Sequence, residues 1–125
     1  MANELTISAS LAFAKGNVAS VARQIVAGTR YTVTGTDYKI GTQQVPTTAG
    51  GTAIDVSGLS GLGWFFLRNL DATNYIEVLN AVSGTVFLTL KAGEVAMGRF
   101  GASVTAPAAL ANTATVALEY MIVED

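Results

Sequence analysis

Residues 63–100 read GWFFLRNLDATNYIEVLNAVSGTVFLTLKAGEVAMGRF, and this stretch decides the fold. It contains the single Trp of the chain and two compact turn signals, NLDATN at 69–74 and KAGE at 91–94. Apolar runs of strand length flank both turns, and their side chains alternate in the period of two that is typical of β-strands. We therefore expect strands over 64–70, 74–79, 85–90 and 94–100, forming the central meander of a small antiparallel domain.

The first of these strands is apolar on both of its faces. Its even positions carry Trp64, Phe66 and Arg68, and its odd positions carry Phe65, Leu67 and Asn69. Because both sets begin with bulky side chains, we expect the start of this strand to lie centrally in a sheet, with a second layer packed over it. Trp64 is then expected to be a core residue.

The segments before this stretch are also predicted to be extended. Residues 4–14 alternate, with apolar odd positions from Leu5 to Phe13, and a turn is expected at 15–17. Residues 18–26 fit a strand better than a helix because they are rich in β-branched side chains, although the spacing of their apolar residues also permits a helix. Short extended runs are expected at 31–34, 38–40 and 53–56. Residues 41–53, GTQQVPTTAGGTA, are predicted to form a long exposed loop because they contain Pro46 and paired glycines.

The end of the chain completes the pattern. Residues 101–114 are small and weakly patterned, and 115–123 alternate regularly before Glu124 and Asp125, which we expect in solvent. We expect the first and last strands to pair and so to hold the ends of the chain. Eight to ten short strands in 125 residues predict an all-β fold, an antiparallel, jelly-roll-like β-sandwich in a single domain over residues 1–125.

Charge is scarce in this chain. Only 13% of the residues are charged, against about 25% in an average soluble domain, and the net charge is −2. The seven cations are spread singly, so we expect no nucleic-acid partner, which would need clustered cations. No run of eighteen apolar residues predicts a membrane span, and the amino-terminal residues do not resemble a signal peptide. A surface this poor in charge is typical of a protein that works packed against neighbours.

The residue types needed for most catalytic and metal chemistry are missing. The chain has no His and no Cys, which excludes Ser-His-Asp and Cys-His nucleophile systems and zinc sites with nitrogen or sulfur ligands. No spacing pairs two carboxylates for acid–base work. Asp71, Thr73 and Asn74 offer too few oxygen ligands for calcium and are better explained as turn formers, and no helix start follows the glycines of 58–63 to bind phosphate. We therefore expect no enzyme activity, no cofactor and no metal.

Four segments of the chain resemble a known family. They are WFFLRNLDATNYIEV at 64–78, LKAGEVAMGRF at 90–100 and LEYMIVED at 118–125, together with MANELTISASLAF at 1–13. These segments resemble small virion proteins of tailed bacteriophages. The resemblance implies a β-sandwich or jelly roll with a structural role, either as a capsid decoration (cement) protein or as a tail, connector or baseplate component. It also implies synthesis in the host cytoplasm, location in the virion, binding to the major capsid protein or other virion proteins, and a homo-oligomer, with a trimer favoured.

The candidate contact residues come from three places in the chain. Leu5 and Ile7 lie in an amino-terminal strand that is able to add to another sheet. The predicted loop at 41–53 contributes Gln43, Gln44 and Pro46. Arg68 is expected either to form an ion pair with a nearby turn carboxylate, Asp71 or Glu94, or to serve as a polar anchor in a subunit contact.

A different class of function remains open beside the structural one. A carbohydrate-binding β-sandwich would use exposed aromatic rings as stacking platforms, and the candidates for that role are Trp64, Tyr75 and Tyr38.

Overall fold

The computed structural model describes residues 4–16 and 18–125, and within them the protein is all-β, with ten antiparallel strands. The antiparallel all-β prediction is confirmed. No helix in this part of the chain is long and apolar enough to cross a membrane. We expected a single domain over residues 1–125; the chain divides into two compact units, Met1–Thr34 and Gly35–Asp125.

The first unit is a long β-hairpin. Strand β1 (Leu5–Lys15) pairs antiparallel with β2 (Val18–Tyr31), so residues 18–26 are strand rather than helix, and this strand continues beyond the predicted end. The register shifts between Ile7 and Ala9, and on the opposite strand Gly28 has a φ of 81°, which a side chain would disfavour. The Gly28 N–H donates to Ser8 Oγ across this irregularity at 3.5 Å. Asn17 of the predicted turn lies outside the described residues.

The second unit contains the other eight strands. They are β3 (Tyr38–Val45), β4 (Thr52–Ala53), β5 (Trp64–Asn69), β6 (Ile76–Leu79), β7 (Val86–Leu90), β8 (Val95–Arg99), β9 (Ala108–Ala111) and β10 (Val116–Val123). They form two four-stranded sheets, one in the order β3-β10-β5-β8 and the other in the order β4-β9-β6-β7.

This strand order is that of a jelly roll. The first strand of the unit pairs with its last, the second with the one before last, and so on to the inner hairpin of β6 and β7. The four pairs alternate between the two sheets, as in a long hairpin folded over into a sandwich. The jelly-roll-like sandwich predicted from strand number and spacing is therefore the fold of this unit.

Two predicted pairings are wrong. Residues 63–100 do not form a meander, because β5 and β8 belong to one sheet whereas β6 and β7 belong to the other. The first and last strands do not pair either: β1 pairs with β2, and β10 lies between β3 and β5. Alternation of side chains along a segment identifies a strand, but it carries no information on which strands are neighbours in a sheet.

The core of the second unit lies between its two sheets. One sheet contributes fully buried side chains such as Leu67, Leu118 and Ile122, and the other contributes Ile76 and Val78. Burying each such side chain contributes about 1.5 to 3 kcal/mol relative to leaving it in water.

Within the second unit, the other sheet covers strand β5 on one of its faces. Phe65, Leu67 and Asn69 point into the sandwich, whereas Trp64 and Phe66 are half-buried on its outer side. The predictions that the start of β5 is buried on both faces and that Trp64 is a core residue are therefore wrong.

The predicted loop at 41–53 is mostly strand. Strand β3 pairs residue for residue with β10 as far as Val45, which is fully buried, and β4 follows at Thr52. Only residues 46–51 connect them, in a turn that the Gly51 N–H closes on Thr48 O at 2.9 Å. The polar and small residues of β3 gave it the composition of a loop.

Candidate interaction face

The outer face of the β3-β10-β5-β8 sheet carries an apolar row that crosses all four strands. Ile40 lies opposite Met121, Met121 lies opposite Phe66, and Phe66 lies opposite Met97. Ile40 is 63% exposed, Met97 38% and Met121 37%. We call these four residues the apolar row. It exposes contiguous apolar surface across the width of the sheet, and such patches are often binding sites.

A second row of residues, with a charged pair at its centre, lies beside the apolar row on the same face of the sheet. It consists of Thr42, Glu119, Arg68 and Val95, again one residue from each strand in register. Arg68 Nη1 lies 3.9 Å from Glu119 Oε1, and the guanidinium carbon lies 5.3 Å from the ring centroid of Phe66. Both partners of the ion pair are exposed, so the pair contributes between about 0 and 1 kcal/mol.

The predicted partner of Arg68 was wrong. Its ion pair is with Glu119, the cross-strand neighbour on β10. The two turn carboxylates that we expected are occupied by local backbone instead: Asp71 Oδ1 accepts from Asn74 N at 2.6 Å, and Glu94 Oε2 accepts from Lys91 N at 2.8 Å.

Aromatic residues continue the face on the other side of the apolar row. Tyr38 lies opposite Val123 and is 57% exposed, and Trp64 lies opposite Arg99 on the edge strand β8. Tyr75, the third aromatic residue proposed as a stacking platform, precedes β6 in the other sheet. The outer face therefore combines aliphatic, sulfur-containing and aromatic side chains with the Arg68–Glu119 ion pair and with Arg99, which pairs with Asp125.

The opposite sheet has a different outer surface. There Glu77 of β6 lies between Thr89 and Leu110, and the row is polar at its centre. The contrast shows that sandwich folding by itself does not require an apolar outer row.

The structure separates the six candidate contact residues. Gln44 and Arg68 are exposed and share the outer face. Gln43 is half-buried, and its side-chain amide is used internally: Nε2 donates to Ala53 O at 2.8 Å, and Oε1 accepts from Asp55 N at 3.0 Å.

The remaining three candidates lie elsewhere. Pro46 is half-buried, and its carbonyl accepts from Ala111 N at 3.1 Å. Leu5 is half-buried in the hairpin, and Ile7 is only 3% exposed, so Ile7 offers no free surface in this chain. The apolar row, which contains none of the six, was missed because its members come from four distant segments.

The turn after β5 is built on a fully buried amide that the sequence alone did not reveal. Asn69 Nδ2 donates to Asn74 O, Leu90 O and Lys91 O at 2.8 to 3.1 Å, and its Oδ1 accepts from Asp71 N at 2.8 Å. Hydrogen bonds from the backbone of Asn74 and Thr73 lower the pKa of Asp71. The residues proposed as turn formers thus act as turn formers.

The chain end is tied down, contrary to the expectation that it lies in solvent. Glu124 is buried; Oε1 accepts from Ser60 Oγ at 2.6 Å and Ser60 N at 2.7 Å, and Oε2 accepts from Thr36 N at 3.0 Å. These bonds, led by that of the Ser60 hydroxyl, lower the pKa of Glu124 from 4.5 to about 2. Asp125 forms an ion pair with Arg99.

The described residues contain no group of three acidic side chains placed to hold a metal ion. A groove of about 390 Å³ opens near β7 and is lined by Phe65, Phe87, Phe100 and Val104 among others, with no carboxylate among its lining residues. A neighbouring cavity of about 300 Å³ is lined in part by Arg99 and Asp125, whose charges neutralise each other. The outer face of the sheet is therefore the candidate functional surface.

No protein-family model matches the chain, and no curated protein and no solved structure matches it.

Proposed function

We propose that this protein is a non-enzymatic structural protein of a bacteriophage virion that decorates the outer capsid lattice and stabilises it. The observation that carries the proposal is the exposed apolar row on the outer face of the jelly roll. A protein with such a face acts by burying it against a neighbour. The virion setting comes from the resemblance of residues 1–13, 64–78, 90–100 and 118–125 to small phage virion proteins.

Low charge supports a role in a dense assembly. With 13% charged residues the protein has little ionic surface to desolvate when it packs against neighbours. A binder that prefers the assembled lattice over its free subunits stabilises that lattice in proportion to its occupancy.

The hairpin is the second surface available for binding. Two-stranded hairpins are marginally stable alone, so β1 and β2 gain from any additional strand or sheet that covers them. Leu11 is 76% exposed on β1. A strand of the major capsid protein added to this hairpin would form main-chain hydrogen bonds with it, as in other cases of strand addition.

Cryo-electron microscopy of virions tests the proposal. Density for a jelly roll of this size on the capsid lattice, lost in virions that lack the protein, is the expected result. Density confined to the tail or connector would support the alternative location, and absence from the virion would refute the proposal. A matched thermal-release assay, comparing virions with and without the protein, should show genome release at lower temperature when it is missing.

A carbohydrate-binding function is the second candidate, because Tyr38 and Trp64 both belong to the outer face. Stacking of a sugar ring on Trp64 would change its emission, and Trp64 is the single Trp of the chain. An emission spectrum unchanged across a panel of glycans at millimolar concentration would exclude this function for the face.

A further inference from the structure

We infer that the outer face of the β3-β10-β5-β8 sheet binds the same face of a second copy of this chain, in a two-fold dimer. The inference rests on the order of residues across the sheet. It uses the same apolar row as the proposed function but does not depend on the virion setting, so the two proposals can fail separately. In such a dimer the second copy covers the row, and the hairpin is the surface that remains for binding the lattice.

The face is self-complementary about one particular axis. A two-fold axis parallel to the strands, passing between the central strands β10 and β5, reverses the order of the strands in the partner. Met121 of one copy then lies over Phe66 of the other, and Ile40 lies over Met97. These are apolar contacts, and the sulfur–aromatic pair is favourable in its own right.

The same axis matches the charges. In the neighbouring row it places Glu119 of each copy over Arg68 of the other, so two intermolecular ion pairs form beside the apolar contact. Thr42 and Val95 meet at the edges of the row. Packed sheets of sandwiches lie about 10 Å apart and nearly aligned, and this geometry preserves these pairings.

The other two-fold arrangement fits less well. An axis perpendicular to the strands would place the Glu119 row over the row of Tyr38, Val123, Trp64 and Arg99, with Glu119 itself over Val123 and two strands away from Arg99. Glu119 would then lose water without gaining an intermolecular cation, which costs free energy. The charge pattern therefore selects the axis parallel to the strands.

The contact is small. Four strands about 4.8 Å apart and five residues of about 3.3 Å give a planar area of roughly 300 Å². Counted over both copies this is about 600 Å², less than the roughly 1,000 Å² that a stable interface needs, so we expect a weak, transient dimer. The trimer implied by the resemblance is a competing outcome.

Sedimentation equilibrium of the full chain over about 1 to 500 μM tests the inference, since weak dimers dissociate in this range. We expect a monomer–dimer equilibrium. Ile40→Lys should raise the dissociation constant at least about tenfold, because it places two cations in the apolar contact. The matched control is Val82→Lys: Val82 is 53% exposed but lies in the turn between β6 and β7, away from the face. The control should leave the constant unchanged.

A charge exchange tests the pairing itself. Glu119→Arg should weaken the dimer at least about tenfold, since each new Arg faces an Arg of the partner. The double variant Glu119→Arg with Arg68→Glu should restore it to within about threefold. Far-UV circular dichroism and Trp64 emission of each variant would establish that the fold is kept. A protein that stays monomeric throughout, forms a trimer, or dimerises equally well with Ile40→Lys would overturn the inference.

The absence of Cys allows a test of the axis. Ile40→Cys and Met97→Cys proteins, mixed with a short bis-maleimide, should cross-link to each other. Each protein alone should cross-link poorly, because the two copies of residue 40 lie on opposite edges of the interface, three strand spacings or about 14 Å apart. Cross-linking of Ile40→Cys with itself that equals or exceeds that of the mixture would refute the axis.

Discussion

Removing the buried amide of Asn69 should destabilise the jelly roll strongly. Asn69 is fully buried at the end of β5, and its side-chain amide links the turn at 69–74 to the carbonyls of Leu90 and Lys91. It joins the end of a strand in one sheet to the end of β7 in the other. No other side chain in the described residues has so many backbone partners while being fully buried.

The magnitude follows from the bonds that are lost. In Asn69→Ala the two amide hydrogens and the oxygen are removed, and each bond contributes about 0.5 to 1.5 kcal/mol net. We therefore expect a loss of about 2 to 4 kcal/mol in the free energy of unfolding. For a domain of this size the loss corresponds to a decrease in Tm of roughly 10 to 25 °C. Asn69→Asp should cost at least as much, because it keeps the volume but turns an acceptor toward three carbonyl oxygens.

Urea unfolding followed by Trp64 emission measures this loss directly, because Trp64 lies in the same strand. Asn80→Ala is the matched control. Asn80 Oδ1 accepts from Thr85 N at 2.7 Å in an exposed turn, so its removal should cost only about 0.5 to 1.5 kcal/mol. If Asn69→Ala proved no more destabilising than Asn80→Ala, the role assigned to the buried amide would be wrong.

Three further predictions concern the chain end, a close contact and the core. The folded-state pKa of Glu124 lies near 2, below its ordinary 4.5, so its contribution to stability should be complete above about pH 5 and disappear as the pH falls toward 2. Urea midpoints measured from pH 6 to 2 should therefore decrease, and Glu124→Gln should flatten this decrease. Gly35→Ala should destabilise the fold by roughly 1 to 3 kcal/mol, since its new Cβ would lie 2.5 Å from Glu124 O. Gly101→Ala, whose new Cβ would have nothing within 4 Å, should be close to neutral in the same urea titration. Leu67→Ala should cost about 2 to 5 kcal/mol in thermal unfolding, and Leu11→Ala, at a site that is 76% exposed, should cost far less; equal losses would contradict the assigned core.

Most strands were predictable from alternation alone. Strands β5 and β10 lie within one residue of the predicted starts and ends because each buries every second side chain. Strand β3 was largely missed, since its inward positions are occupied by Lys39, Gly41 and Gln43 rather than by large apolar residues. Its pairing with β10, not its own composition, makes it a strand.

The tied chain end could not be read from the sequence. Two acidic residues at the end of a strand are typical of solvent, and Glu124 lies inside because Ser60 and Thr36 supply donors from positions 64 and 88 residues away. Glycine at position 35 leaves the room that this arrangement needs. Such a site depends on long-range topology, which local patterns do not specify.

The outer face poses the same problem for prediction from the sequence. Its apolar row joins residues of four strands that only the jelly-roll order makes neighbours, so no single segment shows it. Folding does not demand it, because the other sheet of the same sandwich places Glu77 and Thr89 on its outer surface and also contributes buried side chains to the core. The exposed parts of Ile40, Met97 and Met121 stay in water in an isolated monomer, and they raise its tendency to associate. The proposed dimer would explain the asymmetry between the two outer faces, because the matched order of charges across the row fits a second copy of the chain.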